Sequence, residues 1–261
     1  MKKRLSPCQI HVAMHLAKTA IDAAPVLTVA AARPVEPDTS PYALLRAQLG
    51  EHLRELSDTA SIEARQEKKR EWMPIYADHV DTVILTSEET DKALQDDIVS
   101  WMAVWAFDIA TIDPEFYPRA FELADYILKF GLTVPDRFNR APAALFAEFV
   151  ADDGQNKLGS APADGPAPFS IDTVRRALGL IEGRTDAVDI IPAKLHKLAG
   201  KLFVRLAAAI DAGTEQGPAG GAKAARTQAL KHFHRAYQLD NKIGVKKDIE
   251  TIERVLKKTP E

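Results

Sequence analysis

The stretch IVSWMAVWAFDIA occupies residues 98–110 and follows the polar run DKALQDD at 91–97. A helix that is polar at its start and apolar nearly all round thereafter belongs in a core or a subunit interface. Asp91–Ile109 is therefore expected to form one central buried helix. Outward from it, helical spacing recurs nearly everywhere, and alternating apolar/polar runs bounded by turns are nearly absent. The fold class that follows is all-α.

Upstream, Ser6 and Pro7 supply a cap and a first-turn proline for a helix to Ala23. Residues 25–39 hold several prolines without periodicity and read as a linker. A second helix opens at Ser40-Pro41, and Leu45, Leu49, Leu53 and Leu56 form a narrow stripe suited to a helix hairpin or an oligomer seam. EARQEKKRE at 63–71 is charged and helix-favouring, and Pro74 is expected to kink that helix or start another.

Downstream, Pro118–Phe130 reads as a helix capped by Gly131. ADDGQNKLGSAPADGPAPF at 151–169 reads as a long loop or domain linker. Helices are expected over about 170–183, 192–212, 222–239 and 244–258, with a glycine-rich loop at 213–221. The spacing of Ala229, Phe233, Ala236 and Leu239 resembles the second helix of a tetratricopeptide-type hairpin. The organisation read from this is an N-terminal helix and linker (1–39, a possible DNA-contacting arm), a central helical or oligomerisation domain (40–150), a linker (151–169) and a C-terminal domain of tetratricopeptide-like helical hairpins (170–261).

Composition limits the function. An apolar content of 46% supports a packed core rather than a disordered chain. A net charge of −3 supplies no global attraction to a polyanion, so nucleic-acid binding has to use local patches. Cys8 is the sole cysteine and permits no disulfide framework, which fits a reducing compartment. No run of about 18 apolar residues occurs, so no membrane span is expected and the protein is placed in the cytoplasm.

No G-x-x-x-x-G-K-[ST] cradle for ATP is present, and Gly217–Lys223 (GPAGGAK) reads as a flexible loop. His11 and His15 share a helix face but lack the glutamate and third ligand of a zinc site. His232 and His234 read as surface residues, and no metal site is assigned. Asp96 and Asp97 are the candidates for metal-dependent phosphodiester cleavage, which would require Mg²⁺. Competing with that is a role as first-turn acids favoured by the helix dipole. Asp108 shares a face with Asp97 but lies about 16 Å along the axis, too far to share one ion.

Basic residues cluster at Lys2-Lys3-Arg4, at Arg65, Lys68, Lys69 and Arg70, and at Arg137 and Arg140. These are the candidate DNA contacts. Lys194, Lys197 and Lys201 recur on one helix face, and Lys246-Lys247 and Lys257-Lys258 lie near the end. Each cluster also fits a plain solvated face.

Six blocks carry a resemblance: SPCQIHVAMH (6–15), KKREWMP (68–74), ALQDDI (93–98), LKFGLTVPDRFNRAP (128–142), KLHKLAG (194–200) and QLDNKIGVKKDIETIER (238–254). In this order the chain resembles the small terminase subunits of peduovirus-type temperate tailed phages, a family also labelled the terminase endonuclease subunit. The loops at 151–169 and 213–223 match no such block. The resemblance implies a protein of the bacterial host cytoplasm that assembles as a homo-oligomeric ring. It implies binding of double-stranded phage DNA at the packaging site and partnership with a large subunit carrying ATPase and nuclease. No cofactor is implied for this chain unless it cuts DNA itself, with Mg²⁺. Two alternatives remain: a metal-dependent endonuclease in its own right, and a helical-repeat scaffold that binds only proteins.

Overall fold

A computed structural model describes residues 40–135, 138, 140–162, 165–184 and 188–258. The expected helix at 6–23, the linker at 25–39, and Lys2, Lys3, Arg4, His11, His15 and Arg137 lie outside the described residues. Among the described residues there are nine α-helices, one 3₁₀ turn and no strand, so the chain is all-α. None of these helices is long and apolar enough to cross a membrane.

The helices are α1 (Pro41–Asp58), α2 (Ile62–Thr90), α3 (Asp97–Ala110), α4 (Tyr117–Lys129), α5 (Pro142–Ser160), α6 (Ile171–Ile181), α7 (Ile190–Asp211), α8 (Gly221–Leu239) and α9 (Lys246–Lys258). The 3₁₀ turn Pro114–Phe116 leads into α4. As its composition requires, α3 is the hub and packs on α1, α2, α4 and α5. Ile98, Val99, Met102–Phe107, Ile109 and Ala110 are all buried. The leucine stripe of α1 lies on this core: Leu49 and Leu56 are buried, with Leu45 and Leu53 packed beside them. Gly131 ends α4 as expected, at φ +65°, and Leu132 N–H bonds back to the Ile127 carbonyl at 2.9 Å.

Three expectations need correction. The helix predicted from Asp91 begins only at Asp97, because Asp91 sits in the left-handed region (φ 50°) as the C-cap of α2 and Asp96 caps α3. Secondly, of the two outcomes expected at Pro74, the start of a new helix does not occur; α2 runs through it for 29 residues.

The third correction concerns the linker expected at 151–169. Residues 151–160 are instead the second half of α5. Gly154 is there for close packing, since a Cβ at that position would stand 2.3 Å from Leu198 Cδ2. Asp153 is buried, accepting from Tyr117 Oη at 2.7 Å and from Lys157 at 2.8 Å. The main core runs across the segment, from Leu49 to Leu202.

A smaller core, from Phe203 to Ile252, joins α7, α8 and α9. Here the spacing of Ala229, Phe233 and Ala236 is explained by burial against α7, with the Phe233 ring lying over Gly200. α7 and α8 form a long antiparallel hairpin joined by the glycine-rich loop.

Candidate nucleic-acid interface

The basic run on α2 is positioned by its cap. Ser61 Oγ accepts from Ala64 N–H at 3.2 Å, and Glu63 occupies the first turn, where the helix dipole favours an acid. Arg65, Lys68, Lys69 and Arg70 then cover a turn and a half of exposed or half-buried helix.

Each of the four cations is held by an acceptor in its own chain. Arg65 Nε donates to the Thr59 carbonyl at 2.5 Å. Lys68 Nζ reaches Glu55 at 2.7 Å and Thr59 Oγ1 at 3.1 Å, and lies 5.9 Å from the Trp72 ring. Lys69 pairs with Asp108, its side chain only 13% exposed. Arg70 pairs with Asp113 at 3.1 Å. The run therefore ties α2 to the end of α1 and to the end of α3. In the 138–142 segment, Arg140 pairs with Glu148 of α5 at 2.5 Å.

Beside the run, Trp72 stacks on His52 at 4.0 Å, and Trp105 packs 6.3 Å from Trp72 and 6.0 Å from Tyr76. His52 Nδ1 bonds Tyr76 Oη at 2.8 Å. Burial lowers the His52 pKa against a smaller opposing pull from Glu55, and burial pushes the Tyr76 phenol up to about 12. This cluster locks α1 against α2 and α3.

The acidic pair is also engaged. One Asp96 oxygen accepts from Val99 N–H at 3.0 Å as the N-cap of α3, and the other meets His79 Nε2 at 2.9 Å. Asp97 pairs with Arg46 at 2.8 Å. Among the described residues no three His, Cys, Asp or Glu side chains stand together as a metal-holding group.

The lysine series on α7 is taken up in the same way. Lys194 meets Asp152 at 2.9 Å, Lys197 the Ile243 carbonyl at 2.8 Å, and Lys201 Asp248 at 2.7 Å. His232, expected at the surface, is half-buried: its Nδ1 lies 2.9 Å from His196 Nδ1 and its ring stacks on Phe203. Only His234 is exposed, 3.7 Å from Glu253. No pairwise spacing in the sequence marks the His196–His232 contact, because the partners come from different helices.

A further signal is compositional. The run GAKAARTQALKHFHRAYQL, which forms α8, contains no Asp or Glu.

Among the described residues the chain is all-α, with the basic runs of α2, α7 and α8 on helix faces. The model of the phage small terminase subunit family matches residues 46–182, more than half of the chain, and the chain belongs to that family. Its role is that of a phage terminase small subunit. Over 221 residues it is 36% identical to the "Terminase, endonuclease subunit" of Escherichia phage P2, an alignment covering 84% of this chain and 76% of that protein. No solved structure matches.

Proposed function

We propose that this subunit recognises double-stranded viral DNA at the packaging site and, as a homo-oligomer, presents it to the large terminase subunit that powers packaging and cuts. The observation that carries this reading is the family match through α1–α6 together with the long alignment to the phage P2 subunit. DNA recognition inside a cutting complex is favoured over cleavage by this chain. Asp96 and Asp97 are engaged by a cap, a histidine and an arginine, and a metal pair would have to displace those partners.

The test is electrophoretic and chromatographic. The purified chain is expected to shift duplex DNA from its own phage at low salt, to lose that binding as salt rises, and to co-elute with its large subunit. With Mg²⁺ it is expected to leave supercoiled plasmid intact until the large subunit is added. Nicking by the chain alone, abolished in Asp96→Asn, would replace this reading with that of a nuclease.

A further inference from the structure

Charge in this molecule is distributed unevenly. The whole chain carries −3, yet residues 190–239, the α7–α8 hairpin, hold eight Lys and Arg against only Asp211 and Glu215. That local +6 leaves −9 on the rest of the chain.

Within the hairpin the two helices differ. The cations of α7 are bound internally, as Lys194, Lys197 and Lys201 are, and Arg205 donates to the Ala161 and Pro166 carbonyls beyond α5. The solvent face of α8 is different. Ala225, Ala229, Phe233 and Ala236 point into the core, and the opposite arc exposes Lys223, Lys231 and Arg235, with Thr227, Gln228 and Gln238 among them. At 100° per residue these six fall within about 140° of the helix circumference. α8 itself contributes no carboxylate to that arc; one from α9, Glu253, comes within 3.7 Å of His234, which lies on the same arc. Lys223 and Lys231 have no carboxylate partner among the described residues, and Arg235 bonds only to Gln238, at 3.4 Å. Arg226, on another side of the helix, pairs with Asp211.

From this geometry we infer that the exposed face of α8, through Lys223, Lys231 and Arg235, is a surface on which the phosphate backbone of duplex DNA docks. The inference rests on the DNA-recognition reading above and names the element that performs it. Cations with neutral hydrogen-bonding neighbours and no carboxylate partner of their own are what a phosphate chain selects, because side chains such as Gln and Thr add phosphate contacts without repulsion. Lys231 and Arg235 are one turn apart, about 6 Å along the axis, so a single strand can meet both. The same field acts on the half-buried histidines beneath. After burial, the depression of the His196 and His232 pKa values comes from neighbouring positive groups, Arg235 among them for His196, Lys231 and Arg175 for His232. The α2 run, by contrast, already has Glu55, Asp108 and Asp113 as counter-ions.

Anisotropy of labelled duplex DNA with the full-length protein tests this. Lys231→Glu/Arg235→Glu is expected to weaken binding by about tenfold or more at low salt. The neutral pair Lys231→Gln/Arg235→Gln is expected to reduce the slope of log affinity against log salt by about 2 for each subunit that engages the duplex. Lys231→Arg/Arg235→Lys should bind as wild type. Circular dichroism melts confirm that the substituted proteins are folded. If wild type binds DNA and the glutamate pair binds it equally well, the α8 assignment is overturned while the DNA-recognition reading stands. If the wild type ignores DNA at low salt, both fall. If the substitutions abolish capture of the large subunit but not DNA binding, α8 is a protein-docking face and the inference is wrong.

Discussion

Asp96 sits where two readings of one carboxylate can be separated by measurement. It bonds the Val99 amide as a helix cap and meets His79 through its second oxygen. Removing a cap of this kind costs about 1 kcal/mol, while Asn caps nearly as well as Asp. Urea unfolding is therefore expected to show Asp96→Ala destabilised by about 1 kcal/mol and Asp96→Asn much less affected. Asp97 makes an ion pair whose two side chains are about half exposed, and Asp97→Ala should cost no more than about 0.5 kcal/mol. A metal ligand would give the reverse signature, with little loss of stability without the ion and equal loss of cleavage for Asn and Ala at position 96. Gly200 makes a second residue-scale case. A Cβ there would stand 2.5 Å from Phe233 Cε1 and 2.6 Å from Cδ1, atoms of a rigid buried ring. Gly200→Ala gains about 1 kcal/mol of helix propensity but forces α7 from α8. A net loss of about 1–2 kcal/mol is expected in the same unfolding assay, since overpacking a filled core costs about 1–3 kcal/mol. A stabilised variant would show that the hairpin closes more loosely than these distances imply.

At the scale of elements, the α7–α8 hairpin carries a built-in pH dependence. His196 Nδ1 and His232 Nδ1, 2.9 Å apart, can share a hydrogen bond only while one ring presents a lone pair. Burial, then the neighbouring His232 and Arg235, push His196 down to about 4 from 6.5. Burial, with Lys231 and Arg175, also lowers His232. Both folded pKa values are below the unfolded one, so the unfolded chain binds more protons between them. Stability from this pair is complete above about pH 6.5 and declines as pH falls towards 4. Melting temperatures followed over that range should fall more steeply for wild type than for His196→Gln, and parallel profiles would remove the assignment.

The elements themselves were largely legible. The helices after residue 165 are bounded to within two residues by caps, glycines and apolar spacing, because those signals are local. The failures have a common physical cause. DKALQ has helix-favouring composition, but Asp91 adopts αL and Asp96 caps the next helix, so the boundary is set by side-chain hydrogen bonding. ADDGQNKLGS resembles a loop in composition, yet Gly154 answers to Leu198 and Phe169, and Asp153 to Tyr117, all distant in sequence. The candidate DNA contacts are legible in the sequence as charges, but their counter-ions are not. Glu55, Asp108 and Asp113 reach the α2 cations only after folding.

For the whole molecule, the numbers bear on how many subunits engage DNA. The three cations on the exposed arc of α8, Lys223, Lys231 and Arg235, can neutralise at most three phosphates per subunit, which gives a salt slope no steeper than about −2.7 on duplex DNA. With −9 on the remainder of the chain, a lone subunit also meets repulsion once the duplex extends beyond the hairpin. A closed oligomer, as proposed above, would resolve this by presenting the same face repeatedly, so that each further contact forms at high effective concentration. Light scattering in line with size exclusion is therefore expected to give a mass several times that of the chain, and titrations at stepped salt a slope well steeper than about −3. The two measurements constrain each other. An oligomer with a slope near −2.7 would mean that only one α8 face reaches the duplex at a time, and a monomer with a steep slope would place further contacts elsewhere on the chain. A monomer with a shallow slope would sink the oligomeric reading, leaving the α8 face, if it binds at all, as a weak single-subunit contact.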